Sequence, residues 1–155
     1  MNKIMKIAPS YHLILGFFFL NVGISHSQTC LGIWKVIEDK SNEPACLLEL
    51  FAKEGLVYGK LLKILKSDTK QTDPMCVRCS DDRKDQPVIG MELVRGLRKK
   101  GKYWSGGKLL DPHTGKTYKC YLEMINEDKL KVRGYIGFSL IGRTQYWYRE
   151  TDISD

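Results

Sequence analysis

The chain has 155 residues, and its 25 basic and 18 acidic side chains give a formal net charge of +7 at pH 7. The charges are interspersed, without the basic stripe and stacking aromatic residues typical of nucleic-acid-binding proteins, so the composition argues against a nucleic-acid partner. The length also excludes a small scaffold that depends on disulfides alone for its stability.

The first predicted element is a secretory signal peptide over residues 1–27. Basic residues precede an apolar run at 13–24, and the small residue Ser27 suits cleavage before Gln28. The run is shorter than the ~20 residues that cross a bilayer as a helix, and no later segment is long and apolar enough to do so. We therefore expect a periplasmic or secreted protein without a membrane anchor, folded as one domain over residues 28–155.

The rest of the chain consists mostly of short β-type runs that are separated by turn residues. Eight runs are predicted, at residues 31–38, 45–52, 56–65, 88–98, 102–110, 116–125, 129–138 and 143–149. Connections this short favour antiparallel neighbours, because parallel strands need long crossover connections. We expect an all-β fold, an antiparallel up-and-down barrel of about eight strands, whose closure removes exposed strand edges. A sandwich of the same strands is the alternative.

The seventh run shows the clearest alternation of residue types. One face carries small or apolar residues, namely Leu130, Val132, Gly134, Ile136 and Phe138. The opposite face carries basic residues and a tyrosine. This pattern predicts a half-buried antiparallel strand through residue 138.

One connection, residues 66–87, is much longer than the others. It contains two prolines and charges of both signs, and it has no apolar periodicity. Ordered loops of this length often act as lids or binding loops, and a passive surface insertion is the other interpretation.

Cys76 and Cys79 form a C-x-x-C motif inside this long loop. A structural zinc site needs a second pair of ligands, and a thioredoxin-like site needs a helix that begins at the motif. Neither accompanies the motif, so we expect no metal. The prediction is a local disulfide between Cys76 and Cys79 that shapes the loop more than it stabilises the domain.

Three further cysteines follow the predicted signal peptide. Cys120 alternates with apolar side chains, which predicts a buried free thiol. Cys30 and Cys46 lie near the starts of neighbouring predicted strands, and the sequence leaves open whether they pair.

The sequence contains no nucleotide-binding, zinc-protease, calcium-binding or serine-hydrolase motif. His113, the one histidine after residue 27, lies in a predicted turn. Glu49, Glu92 and Glu123 lie within predicted strands, without a pattern that brings them into one pocket. We expect a protein that is not an enzyme and that has no cofactor.

A series of glycine and aromatic motifs runs through the second half of the chain. It comprises W-S-G-G, D-P, G-K-x-Y, V-R-G-Y-x-G and G-R-T-Q-x-W-x-R, between residues 104 and 149. With G-I-W at 32–34 and the C-x-x-C motif, this series resembles the bacterial secreted family known as domain of unknown function 2147. The resemblance implies a lipocalin-like barrel and carries over no activity, ligand or catalytic residue.

Lipocalins have a G-x-W motif on the first strand and an arginine near the chain end that packs over the indole. Gly32 and Trp34 resemble the first feature, and Arg143 or Arg149 is the candidate for the second. The resemblance implies a structural role for these four residues.

The leading interpretation is non-enzymatic binding of a small, partly apolar ligand in the mouth or interior of the barrel. The candidate ligand-binding residues are Trp104, Tyr118, Arg133, Tyr135 and Trp147. The alternative is an interaction module of the cell envelope that docks a protein or polymer on exposed aromatic and basic strand faces.

Overall fold

The computed structural model describes residues 29–65 and 74–152, which form eight strands. The strands are β1 (Gly32–Ile37), β2 (Pro44–Lys53), β3 (Leu56–Ile64), β4 (Glu92–Lys100), β5 (Tyr103–Asp111), β6 (Lys116–Asn126), β7 (Lys129–Tyr135) and β8 (Gly142–Arg149). Each strand pairs with the next in chain order, and β8 pairs with β1, so the sheet closes into a barrel. All neighbouring strands are antiparallel, which confirms the predicted up-and-down barrel.

The predicted signal peptide and residues 66–73 of the long connection lie outside the described residues. Within the described ranges, no helix is long and apolar enough to cross a membrane.

Alternation along the strands builds the core, because every second side chain points into the barrel. Trp34 and Val36 of β1 lie opposite Arg149 and Trp147 of β8, and these pairs form the seam that closes the barrel. The fully buried side chains come from both halves of the chain: Trp34, Trp147, Leu48, Leu50, Leu97, Leu122, Leu130, Val94, Val132, Cys30, Cys76 and Cys120.

The predicted strand through residue 138 is wrong at its carboxyl end, since β7 ends at Tyr135. Gly137 has a φ of 68°, a left-handed conformation that turns the chain out of the strand. Ile136 and Phe138 therefore continue the apolar alternation in sequence only, and both are exposed.

The fourth strand also begins later than predicted, at Glu92 rather than at Val88. Residues 88–91 form a turn in which the Met91 amide donates to the Val88 carbonyl at 3.2 Å. The same turn bonds to β3, because the Leu61 amide donates to the Met91 carbonyl at 3.0 Å. The apolar residues of this stretch thus belong to the end of the long connection.

Residues 74–91, which we call the flap, pack onto the barrel. The predicted disulfide between Cys76 and Cys79 is confirmed, with the two Cα atoms 5.5 Å apart. Both cysteines, together with Val88 and Met91, are buried in the same cluster as the barrel core. This part of the connection is therefore an integrated layer of the domain.

Charged side chains fix the flap against the barrel. Asp82 accepts two hydrogen bonds from the Arg95 guanidinium of β4, at 2.8 and 2.9 Å. Arg83 is buried, pairs with the Asp81 carboxylate, and donates to the Glu92 carbonyl at 2.9 Å. The flap is thus held along the start of β4.

Candidate functional site

The centre of the barrel is filled by side chains. Trp34, Trp104 and Trp147 are all buried inside the barrel, among leucine and valine side chains from β1 to β7. Two clefts stand out among the described residues, and both lie at the ends of strands rather than in the centre. The open space of these two clefts therefore lies at the ends of the barrel rather than in its middle.

One end of the barrel, which we call the base, is closed by Trp34 and Arg149. The Trp34 indole donates from Nε1 to the Cys30 carbonyl at 2.9 Å. The Arg149 guanidinium lies 4.3 Å from the centroid of the Trp34 ring, and Nη1 donates to the Leu31 carbonyl at 2.8 Å. A Cβ atom at Gly32 would lie 2.8 Å from the same Nη1, so glycine leaves room for the arginine.

The structure thus places Arg149 over the indole, and it places Arg143 elsewhere. Arg143 is the second residue of β8, at the opposite end of the barrel, where it pairs with Asp39 of the β1–β2 loop. Gly32, Trp34 and Arg149 come together at the base, and Arg143 does not join them.

A cleft of about 200 Å³ opens at the base, beside the segment that precedes β1. We call it the base cleft. Its lining is mostly apolar and comprises Thr29, Leu31, Ala52, Gly55, Leu56, Val57, Lys99 and Trp104. Two tight turns and the amino-terminal segment surround it, so the cleft is an incompletely filled part of the barrel end.

Lys99 is the one charged side chain of the base cleft. It pairs with Trp104 across β4 and β5, and its Nζ lies 4.8 Å from the centroid of the indole ring. Within the described residues, Lys99 forms no ion pair with a carboxylate. The cleft therefore combines apolar walls with one cation that has no anionic partner.

A wider cleft of about 460 Å³ lies between the flap and the start of β4. Its charged residues satisfy one another, because Arg95 binds Asp82 and Arg83 binds Asp81. The Arg83 guanidinium holds the pKa of Asp81 at about 2, and Arg95 lowers the pKa of Asp82. These groups hold the flap in place and leave no free charge for a ligand.

The five predicted ligand-binding residues do not share one surface. Trp104 and Trp147 are buried in the barrel, and only Trp104 lines a cleft. Tyr118 lies on the interior face of β6, since it alternates with the buried Cys120.

Arg133 and Tyr135 lie on the outer face of β7, because they alternate with the interior Val132 and Gly134. Arg133 is occupied within its own hairpin, where Nε donates to the Ser139 carbonyl at 2.7 Å. The structure therefore gives Arg133 a role in shaping the β7–β8 loop.

Tyr135 belongs to a row of three tyrosines on the outer face, which we call the tyrosine row. The Tyr103 and Tyr121 ring centroids lie 5.3 Å apart, and those of Tyr121 and Tyr135 lie 6.5 Å apart. Lys102 approaches the outer end of the row, with Nζ 5.0 Å from the Tyr103 ring centroid.

Cys30, Cys46 and Cys120 are free thiols, so the pairing of Cys30 with Cys46 that the sequence left open does not occur. The register explains this, because Cys46 lies opposite Val36 whereas Cys30 precedes β1 at the other end of that strand. Burial raises the pKa of the Cys30 and Cys120 thiols to about 12 and that of Cys46 to about 11.

Acidic residues within the strands form ion pairs with lysines. Glu49 pairs with Lys60 at 2.9 Å, and Glu123 pairs with Lys102 at 2.8 Å. Within residues 29–65 and 74–152, no group of three His, Cys, Asp or Glu side chains is placed to hold a metal ion.

Lys99 was not among the residues that the sequence pattern singled out. A signal was present, since Lys99 follows the core residue Leu97 by two positions and therefore continues its interior face. Lys99 is nevertheless exposed at the end of β4, next to a K-K-G turn, so its sequence context predicts only an ordinary surface charge.

Comparisons with known proteins agree with this architecture. The profile of a family described as an uncharacterized protein conserved in bacteria (DUF2147) matches residues 32–149. The solved structure of protein HP1028 from the human pathogen Helicobacter pylori, described as belonging to the lipocalin family, is similar with a TM-score of 0.69. The similarity covers 80% of this chain and 84% of that chain at 18% sequence identity, so it shows the fold. No curated protein matches the chain.

Proposed function

The chain belongs to the bacterial DUF2147 family, and on this premise we propose that it is a non-enzymatic protein that binds a small, partly apolar carboxylate in the base cleft. The lipocalin-like barrel suits a ligand-binding role, since barrels of about eight strands can hold one small ligand. The observation that carries the proposal is the position of Lys99, a cation without an anionic partner beside apolar walls.

The charge, the apolar walls and the volume of the base cleft favour a small, partly apolar anion. Lys99 is exposed and also lines the cleft, so its ammonium suits the carboxylate end of a ligand that stays near water while the rest of the ligand contacts the apolar walls. Leu31, Leu56 and Val57 offer contacts to an apolar body. The volume of about 200 Å³ is smaller than the ~300–1,000 Å³ of sites for drug-sized ligands, which favours a short alkyl chain or a single ring.

The test is a titration with straight-chain carboxylates from butyrate to decanoate and with benzoate and phenylacetate. Binding is measured as a rise in the thermal unfolding midpoint and as a change in tryptophan emission, because Trp104 lines the cleft. We expect a response to at least one carboxylate and a weaker response to the matching alcohol, which lacks the charge.

Lys99→Met keeps much of the apolar stem and removes the charge, so it is expected to abolish the preference for the carboxylate over the alcohol. Lys100→Met is the matched control, because Lys100 is an exposed neighbour that does not line the cleft. Equal carboxylate responses in both variants, or no response in the unmodified protein, would overturn the proposal.

We also propose that the protein is exported and that a signal peptide over residues 1–27 is removed. A disulfide supports this location, since disulfides persist mainly in oxidising compartments outside the cytosol. The mass and the amino-terminal sequence of the protein recovered from its own cells test the proposal. A mature chain that begins at Gln28 is expected, and a cytosolic chain that retains residues 1–27 contradicts it.

A second candidate function is docking of an envelope polymer on the tyrosine row. Three neighbouring aromatic rings with Lys102 beside them suit the stacking and charge contacts of a polymer with sugar rings and anionic groups. Pull-down with purified cell-wall polymer should weaken in Tyr121→Ala and not in Tyr58→Ala, a control tyrosine on β3. Equal retention of both variants rules out the row as the docking surface.

A further inference from the structure

The loop between β7 and β8 presents four large apolar side chains to solvent. The exposed fractions are 63% for Ile136, 80% for Phe138, 88% for Leu140 and 71% for Ile141. We call residues 136–141 the apolar tip, and none of its six residues is charged. An exposed apolar cluster of this kind marks an interaction site.

Four backbone carbonyls of the apolar tip accept hydrogen bonds from within the hairpin. The Arg133 guanidinium donates to the Ser139 carbonyl at 2.7 Å and to the Leu140 carbonyl at 3.1 Å. The Phe138 carbonyl accepts from the Ile141 amide at 3.1 Å, and the Ile141 carbonyl accepts from the Ile136 amide at 3.2 Å. All four carbonyls of residues 138–141 therefore have donors within the hairpin.

This arrangement suits entry into an apolar layer. Backbone carbonyls that lose water without gaining a donor cost several kcal/mol each in hydrocarbon, so a loop that inserts must satisfy them itself. The apolar tip meets this requirement for the carbonyls at its apex, and it does so before any partner binds.

A row of basic side chains leads to the apolar tip on the outer face of the sheet. The strand register places Arg95 opposite Lys108, Lys108 opposite Lys119, and Lys119 opposite Tyr135, the residue before the tip. Arg95 is paired with Asp82, but within the described part of the chain Lys108 and Lys119 have no ion pair.

Two facing lysines without a carboxylate repel each other, and a negative surface beside them removes that cost. A second copy of the chain does not supply it, because a twofold interface through the tip would bring two such basic rows toward each other.

We propose that the apolar tip inserts into the surface of an anionic lipid bilayer, with Lys108 and Lys119 contacting the headgroup phosphates. Peripheral segments of this kind bury apolar side chains ~5–10 Å into the headgroup and acyl boundary. The attachment is peripheral and reversible, and it needs no membrane-spanning helix.

Phe138→Trp provides a local reporter for the test. The three native tryptophans are buried, so the new indole reports on the tip. The protein is expressed from its full coding sequence, used in the form that cells produce, and mixed with vesicles of phosphatidylcholine alone or with phosphatidylglycerol added. We expect a blue shift of the emission with the anionic vesicles that decreases as salt is added.

Vesicle flotation then measures separately how much the apolar tip and the two lysines contribute to membrane binding. Phe138→Ser/Leu140→Ser should lose flotation, and Ile125→Ser should keep it, because Ile125 is a 48% exposed isoleucine near the opposite end of β6. Lys108→Gln/Lys119→Gln should weaken binding to anionic vesicles about 30-fold, from the usual contribution of two lysines near such a surface.

Three results would overturn the proposal. One is an unchanged emission of Phe138→Trp with phosphatidylglycerol vesicles while circular dichroism shows a folded barrel. Another is equal flotation of Phe138→Ser/Leu140→Ser and Ile125→Ser. The third is a blue shift that appears without vesicles and grows with protein concentration, which would identify a second copy of the chain as the occupant.

Discussion

Single side chains decide how the base of the barrel is closed, and Arg149 is the clearest case. Its guanidinium bonds the carbonyls of Thr29, Leu31 and Glu127 and stacks on Trp34. The planar guanidinium of an arginine can donate several hydrogen bonds and stack on an aromatic ring at the same time. A lysine ammonium is a point charge that cannot stack in this way. One residue thereby connects the amino-terminal segment, the β6–β7 turn and the core.

The sequence indicated this contact but not which arginine makes it. Arg143 and Arg149 are six positions apart on one strand, so alternation places both on the same face. Only the pairing of Trp34 with Arg149 across the seam distinguishes them, and strand register is not visible in the strand's own sequence.

We expect Arg149→Ala to lower the free energy of unfolding by about 2–4 kcal/mol, because it removes charge-assisted hydrogen bonds and a cation–π contact. Arg149→Lys should recover only part of this loss. Arg143→Ala, which breaks the partly exposed pair with Asp39, should cost less than about 1 kcal/mol. Urea unfolding followed by circular dichroism measures all three, and equal losses for both alanine variants would contradict the assignment.

At the scale of elements, the sequence pattern predicted the disulfide of the flap but not how the flap packs on the barrel. The disulfide was predictable from the spacing of Cys76 and Cys79 and the absence of other ligands. The docking of the flap was not, because it depends on a close contact between backbone segments far apart in sequence. A Cβ atom at Gly115 would lie 1.9 Å from the Arg78 carbonyl oxygen, so the β5–β6 turn fits directly against the flap.

Gly115→Ala should undock the flap from this turn. Gly101→Ala is a matched control, since both glycines are in turns with positive φ, 70° and 60°, but a Cβ atom at Gly101 meets no atom within 4 Å. The control should cost only the left-handed strain of an alanine, about 1 kcal/mol, and Gly115→Ala should cost more.

Hydrogen exchange of the amides that join the flap to β3 gives the specific readout. The Gly90 amide donates to the Leu61 carbonyl at 2.7 Å, and the Leu61 amide donates to the Met91 carbonyl at 3.0 Å. Faster exchange of these amides in Gly115→Ala, with unchanged exchange in Gly101→Ala, is the expected result. Identical exchange in both variants would mean that the contact does not hold the flap.

At the scale of the whole molecule, the strand count and spacing were sufficient to predict the barrel, because short antiparallel strands with tight turns leave few other closed arrangements. The features that define its surfaces were harder to predict. Ile136 and Phe138 continue the apolar alternation of β7, which predicts buried side chains. Gly137 turns the chain away from the strand, so both side chains are exposed to solvent. Lys99 is an exposed charge, as its place beside a turn predicts, but the sequence does not show that its side chain also lines the base cleft.

The buried thiols give the whole barrel a predictable dependence on alkaline pH. The pKa of Cys30 and of Cys120 is about 12 in the folded chain, whereas the ordinary thiol value, which applies to the unfolded chain, is 9.0. Below pH 9 both states keep the protons and the contribution to stability is fully present. As pH rises from 9 toward 12 the unfolded chain loses protons first, so stability falls.

At pH 10.5 we expect each of these thiols to lower the free energy of unfolding by about 2 kcal/mol relative to pH 7, from ~1.4 kcal/mol per pKa unit. Urea unfolding of the unmodified protein and of Cys120→Ala at both pH values measures the difference. The alanine variant is less stable at pH 7, because a buried side chain is truncated. Its loss between pH 7 and pH 10.5 should nevertheless be smaller by about 2 kcal/mol, since the two proteins differ only in the Cys120 thiol. An identical loss in both would show that the Cys120 thiol ionises as readily in the folded barrel as in the unfolded chain.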